Sequence, residues 1–300
     1  MSGLSLDCDC ELDLNLKFER DKDLSSLTTL GVGGRAEYYI EPDNIEDFKK
    51  LFKLNLNKYI LGGGSNVVFP DENISGLVIS TKKFNKILFN FNNELVSVQA
   101  GCSLAKLVAE ANKNNLSGLE FAVGIPGTVG GAIFGNAGAG GHGVAELVTE
   151  LIILDAQGEL KILNLKDFNY SYRKFEINNI DKNKILILEC KLKLRKDKQE
   201  LIEAEVKKYL SKRINQPMGR SAGCTFKNPK DCNLSAGKLL DDCNCKGLKC
   251  GDAVVSENHA NFILNKGRAS CEDIKNLVEL CRKRVFDNTG IMLEPEIKFI

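Results

Sequence analysis

Apolar residues along this chain recur at two spacings, and the changes of spacing mark off its elements. Ala36–Ile40 (AEYYI) and Tyr59–Leu61 read as strands, while Ile45, Phe48, Leu51 and Phe52 between them recur at helical spacing. Gly76–Thr81 (GLVIST), Ile87–Phe91 and Leu95–Ala100 (LVSVQA) continue the strand series. A helix follows, with Ser103 as its N-cap and Leu104, Leu107, Val108 and Ala111 on one face. Glu146–Leu154 and Leu160–Leu163 flank DAQG, a hairpin signal with Gly158 at the turn, and Ile185–Leu194 (ILILECKLKL) is a further strand. Leu201–Ile214 is helical and stops at Pro217. Ser270 and Asp273 form a capping box for a second late helix, whose apolar face is Ile274, Leu277, Val278, Cys281 and Val285 and whose end is Gly290. Leu293–Ile300 (LEPEIKFI) alternates and predicts a final strand. The sum is an α+β protein with mixed sheets in more than one domain.

Residues 1–25 are polar and acidic with weak periodicity and read as a loosely held extension. The charged run Lys196–Lys198 (KDK) places a domain boundary between 26–196 and 197–300.

Composition narrows the function classes. The 300 residues are 43% hydrophobic and 27% charged, enough for a sizeable core. Lys plus Arg number 41 and Asp plus Glu 40, a net charge of +1, which gives no electrostatic case for nucleic acid or an acidic membrane as main partner. No apolar run approaches the roughly 18 residues of a membrane span, and MSGLSLDCDC lacks the basic start and apolar core of a secretion signal, so a cytoplasmic address is expected. Eleven scattered cysteines then read as reduced small hydrophobes. Cys243, Cys245 and Cys250 cluster without zinc-site spacing, and His142 and His259 lie far off in sequence, so no metal is expected.

Three glycine-dense segments carry the chemistry: Leu30–Arg35 (LGVGGR), Leu61–Asn66 (LGGGSN) and Gly124–Gly143 (GIPGTVGGAIFGNAGAGGHG). Glycine allows positive φ and close backbone approach, so several N–H groups can face one phosphate. Neither the Rossmann fingerprint nor a P-loop is present, which leaves a dinucleotide site built from paired loops. The expected cofactor contacts are Gly62, Gly63, Gly64, Ser65 and Asn66 from one loop. The other supplies Gly127, Thr128, Val129, Gly130, Gly131 and Ala132.

The strings TTLGVGGRAEYYI, LGGGSNVVFPD, GCSLAKLVAEA and EFAVGIPGTVGGAIFGNAGAGG, followed in order by YSYR, SAGCTFKNP, SAGKLLDD, VSENHANFILN and LEPEI, resemble the MurB family, the UDP-N-acetylenolpyruvoylglucosamine reductases. The resemblance covers roughly residues 25–300. It implies a two-part FAD-binding domain like that of the PCMH/vanillyl-alcohol oxidases, split near residue 82, and a smaller α+β substrate domain whose last strand returns to the first subdomain. It implies non-covalent FAD, NADPH as hydride donor, and the enolpyruvyl ether of UDP-N-acetylglucosamine as acceptor, in a monomer serving peptidoglycan precursor synthesis. The short stretch between Arg173 and Cys224 looks like the family's second type, which lacks an inserted substrate-capping loop.

Reducing an enolpyruvyl ether takes a hydride at C3 and a proton at C2, with an enolate-like state between. The resemblance puts the stabilising arginine at Arg173, whose guanidinium suits a carboxylate. It puts the proton donor at Cys224, where most members carry serine; a thiol, with a reference pKa of about 8.5, donates a proton more readily than an alcohol. The catalytic glutamate falls on Glu296, with Glu294 open as a rival because residues two apart on a strand share a face. Lys227, Asn228 and Tyr172 match substrate-binding positions, and His259 is either a further one or a core histidine. Rival readings are a Cys224–His259 thiol enzyme, another flavin oxidase of the same fold, and a non-catalytic flavoprotein. The first leaves the glycine loops unused, and the last leaves Arg173, Cys224 and Glu296 unexplained.

Overall fold

A computed structural model describes residues 15–230 and 232–300. The chain divides into two compact units. The first gathers Tyr38–Gly63 and Ser75–Arg213, and the second gathers Asp21–Glu37, Gly64–Ile74 and Ile214–Ile300. The fold is α+β, with helices and sheets in both units.

In the first unit the helices are α1 (Ile45–Lys53), α2 (Leu104–Lys113), α3 (Val129–Phe134) and α4 (Gln199–Ser211). Asn44 caps α1 by accepting from the Asp47 N–H at 2.9 Å, and its periodic Phe48, Leu51 and Phe52 are buried. Ser103 caps α2 through the Lys106 N–H at 3.5 Å. A five-stranded antiparallel sheet takes the order Leu160–Asn164, Val148–Leu154, Leu186–Lys193, Leu95–Gln99, Ile87–Asn90. Its inward residues, among them Val96, Val98, Leu151, Ile153, Cys190 and Leu192, form one core with the apolar face of α2. In the predicted hairpin Gly158 takes φ 78° and its N–H donates to the Asp155 carbonyl at 2.9 Å.

The second unit is built on a four-stranded antiparallel sheet ordered Arg220–Cys224, Phe262–Asn265, Ala253–Val255, Lys249–Cys250. The helices α5 (Ala236–Asp242) and α6 (Cys271–Thr289) contribute Leu239, Leu240, Ile274, Leu277 and Val278 to the core beside it. Ser270 and Asp273 make the expected capping box, and Gly290 ends α6 at φ 72°. The Asp71 carboxylate accepts from the N–H groups of Cys271 and Glu272, which satisfies two more donors at that end.

Four sequence expectations change. Residues 1–14 lie outside the described residues, but Glu19–Asp23, within the stretch read as a loose extension, is a strand. The KDK run is no linker break. Arg195–Lys196 pairs antiparallel with Leu116–Ser117, and α4 belongs to the first unit, where Ile202 is buried and Tyr209 packs on the core. The final strand shrinks to Lys298–Phe299, parallel to Val67–Val68, because Pro295 has no N–H for a ladder and the segment before it bonds elsewhere. The glycines of LGVGGR serve packing: the Gly34 N–H donates to the Pro70 carbonyl at 2.7 Å, and a Cβ on Gly33 would lie 2.9 Å from that of Phe69.

Candidate active site

In the first unit two glycine segments meet the start of α2. The Leu104 N–H donates to the Gly127 carbonyl at 3.0 Å, Val129 to Cys102 at 2.8 Å, and Gly130 to Ala100 at 2.9 Å. Close approach forces glycine here: a Cβ on Gly63 would stand 2.6 Å from the Gly127 Cα, and one on Gly62 would overlap the Thr128 Oγ1. The result is a cleft of about 380 Å³ with Gly63, Gly101, Gly127 and Thr128 around it, and Lys82, Asn85, Ser103 and Lys106 completing its lining. The Thr128 hydroxyl is buried without a hydrogen-bond partner.

These features fit a flavin dinucleotide's diphosphate: side-chain-free backbone, an orphan hydroxyl and two cations. Of the expected contacts, Gly62, Gly63, Gly127 and Thr128 come together here, with Val129, Gly130, Gly131 and Ala132 running on into α3. Gly64, Ser65 and Asn66 belong to the second unit. There the Gly64 carbonyl accepts from the Thr29 N–H at 2.9 Å, and a Cβ on Gly64, at φ 66°, would overlap the Leu27 carbonyl oxygen. Sequence reasoning took Ser103 only as a cap and passed over Lys82, Asn85 and Lys106.

Arg173 also lies in the first unit, in the two-residue turn joining Phe168–Ser171 to Lys174–Ile177. It takes φ 54°, an unusual conformation for a non-glycine residue. Its guanidinium donates to the carbonyls of Gly138 at 3.0 Å and Asn136 at 3.4 Å, and its Cζ stands 5.3 Å from the ring centroid of the exposed Tyr172. Asn136, buried at φ 43°, holds this turn through its side chain, a role the GNAGAGG string did not disclose.

In the second unit Cys224 ends the strand Arg220–Cys224, where a register shift between Ser221 and Cys224 and a φ of 76° at Gly223 mark a bulge. Bulges re-aim the side chains that follow them, and only glycine takes that φ without strain, so the SAGC string builds the turn that presents the thiol. Cys224 is a reduced, part-buried thiol. The next residues are clamped on both sides. The buried Asn261 side chain accepts from the Phe226 N–H and donates to the Phe226 carbonyl, both at 2.8 Å. Opposite, the Glu296 N–H donates to the Thr225 carbonyl at 2.7 Å and the Lys227 N–H to the Glu294 carbonyl at 2.9 Å.

Backbone pairing therefore sets Glu296 against the Thr225–Phe226 peptide, one residue on from Cys224. It also separates the two rival glutamates: Glu294 is exposed and ion-paired with Lys227, whereas Glu296 is part-buried. The Asn66 side chain, from the LGGGSN loop, donates to the Glu296 carbonyl at 3.0 Å. Asn228 uses its Oδ1 to accept from the Ala236 N–H at the start of α5. His259 Nδ1 accepts from the Asn261 N–H at 3.2 Å and its ring stands edge-on to Phe262, so it braces the Asn261 clamp; burial lowers its pKa. Among the described residues no cluster of acidic, cysteine or histidine side chains could hold a metal, and no helix is long and apolar enough to cross a membrane.

The glycine-backed cleft, which fits a diphosphate, belongs to an FAD-dependent oxidoreductase, as the similarity to known proteins shows. Residues 36–164 match the FAD binding domain family, and 214–300 match the UDP-N-acetylenolpyruvoylglucosamine reductase C-terminal domain. Over 286 residues the chain is 36% identical to the UDP-N-acetylenolpyruvoylglucosamine reductase of Prochlorococcus marinus, covering 93% of this chain and 97% of that one. The corresponding protein of Borreliella burgdorferi is 35% identical over 93% of both. A crystal structure of UDP-N-acetylenolpyruvylglucosamine reductase (MurB) from Thermus caldophilus superposes with a TM-score of 0.82 at 33% identity, over 95% of this chain and 99% of that one. The chain belongs to the UDP-N-acetylenolpyruvoylglucosamine reductase family.

Proposed function

We propose that this chain reduces UDP-N-acetylenolpyruvoylglucosamine to UDP-N-acetylmuramate with NADPH, as a cytoplasmic monomer supplying a peptidoglycan precursor. The observation that carries the proposal is the bond network joining the LGGGSN loop to the Cys224 turn: Asn66 to the Glu296 carbonyl, and Glu296 to the Thr225 carbonyl. One side-chain and one backbone hydrogen bond thereby tie the LGGGSN loop to the segments that carry Glu296 and Cys224.

Held by the Gly62–Gly63 and Gly127–Thr128 segments, FAD would supply the redox chemistry, passing a hydride from NADPH to C3 of the enol ether. This chain's residues do the rest. Arg173, held in its strained turn, stabilises the substrate carboxylate as negative charge spreads into it. The Cys224 thiol gives its proton to C2, so the double bond becomes a single bond and the thiolate regains a proton from solvent. Glu296 donates a hydrogen bond in its protonated form to the enolate. Lys227 releases Glu294 to meet the substrate's diphosphate, Tyr172 lines the sugar pocket, and Asn228 and His259 support the loops around it.

An anaerobic titration tests the reading. NADPH bleaches the flavin absorbance, and the colour returns only when the enolpyruvyl UDP-sugar is added. Bleaching without recovery on that sugar overturns the substrate assignment, and a chain that neither carries nor takes up flavin overturns the class.

A further inference from the structure

Two lysines in the first-unit cleft have no part in the reaction described above. Lys82 follows the strand Ile74–Ser80 and Lys106 stands in the first turn of α2, yet both line the cleft that Gly63, Gly101 and Thr128 also line. Neither ammonium has a carboxylate partner among the described residues, whereas Lys83, one position from Lys82, pairs with Glu41 at 3.7 Å. Two unneutralised cations facing one recess call for an anion, and the recess offers the other parts of an anion site. Its wall is glycine backbone, so a phosphate approaches without meeting side chains. Its Thr128 hydroxyl is buried with no partner and lacks an acceptor that a phosphate oxygen supplies. Ser103, at the N-terminus of the ten-residue α2, adds a second hydroxyl on a side favourable to negative charge.

We propose that Lys82 and Lys106 are direct diphosphate ligands of the flavin dinucleotide, gripping it from the rim while the glycine segments and Thr128 hold it from within. The proposal rests on FAD as the cofactor and adds to it two residues that the glycine motifs do not contain. NADPH and the UDP-sugar also carry diphosphates, and the test separates the three.

The experiment follows FAD release from the purified holoenzyme on dilution, read as recovered flavin fluorescence, at low and high salt. Lys82→Met and Lys106→Met are each expected to speed release about tenfold, the worth of one charge-assisted hydrogen bond. The double variant should also lose most of the acceleration that salt produces in the parent chain. Lys83→Met, the same charge change one residue away, should release FAD at the parent rate. If the Lys82 and Lys106 variants keep the parent rate and salt response, the proposal fails. It fails equally if they instead weaken NADPH or UDP-sugar binding, which would assign the lysines to that diphosphate, or if Lys83→Met matches them, which would reduce the effect to net charge. A parent chain that holds no flavin would defeat the cofactor assignment itself, an outcome separate from these.

Discussion

Asn136 and Arg173 hold one another through their turns: the Asn136 side chain donates to the Ser171 carbonyl at 2.8 Å, and the Arg173 guanidinium donates back to the Asn136 carbonyl at 3.4 Å. Both sit at positive φ, and Asn136 Oδ1 also accepts from the Ala145 N–H at 3.0 Å. Strain of this kind persists only where the surroundings fix it. Arg173→Lys keeps the charge but not the planar fork, so it should lower kcat/KM by about 100-fold. Asn136→Ala should cost about 1–3 kcal/mol of stability by leaving a buried N–H unpaired. It should also slow return of the flavin colour on adding UDP-sugar, with bleaching by NADPH unchanged. Stopped-flow of the two half-reactions checks both, and an Arg173→Lys chain at full activity would remove the arginine from the mechanism.

The acid pair gives a second prediction. Cys224→Ala should still be bleached by NADPH but form no product, while Cys224→Ser should keep much of the activity. Of the carboxylates, Glu296→Ala should abolish turnover. Glu294→Gln breaks only an exposed pair with Lys227 and should change stability by no more than about 1 kcal/mol, with activity close to the parent's. A reversal of that order would transfer the role to Glu294.

Much of this arrangement was legible in the sequence, and the part that was not has a common cause. The helices at 45–53, 104–113 and 271–289 and the hairpin around Gly158 are set by local periodicity and capping, so they stand where the pattern put them. The glycine loops were legible as a place of close backbone approach: a Cβ on Gly63 would stand 2.6 Å from the Gly127 Cα, and Gly127 takes φ 111°. What local pattern could not show were residues joined only by topology. Lys82 and Lys106 sit on separate elements, Asn261 clamps Phe226 across two strands, and Leu293–Ile300 alternates like a strand yet spends its first half bonding to Thr225 and Lys227.

The glycine cleft can be probed by adding one methyl group. Gly63→Ala places a Cβ 2.6 Å from the Gly127 Cα, and backbone cannot step aside as a flexible side chain would. The expected cost is about 1–3 kcal/mol, with the flavin lost during purification. Flavin-to-protein absorbance ratio and thermal unfolding measure the two effects; a fully flavinated Gly63→Ala chain would mean that this loop does not approach the cofactor.

His259 supplies a pH prediction. Burial lowers its pKa in the folded state below the ordinary histidine value, so at mildly acidic pH the unfolded chain binds the proton more readily than the folded one. The stabilisation is therefore complete above about pH 6.5 and is lost as pH falls towards the folded value. His259→Gln should flatten the decline in melting temperature between about pH 6.5 and 5. A parent and variant with parallel profiles would show that the imidazole is not held neutral by the fold.

The second unit is assembled from Asp21–Glu37, Gly64–Ile74 and Ile214–Ile300, and its parallel pair joins Val67–Val68 to Lys298–Phe299. On the ribosome, the two early pieces emerge with their partner unmade, and at about 5–20 residues per second the wait lasts on the order of ten seconds or more. Val67–Val68 spends that interval as an open strand edge exposed to other nascent chains. Synthesis of Lys298–Phe299 is then what supplies the missing partner, so a nonsense codon just before Lys298 would leave a chain that carries Cys224 and Glu296 but lacks this parallel pair.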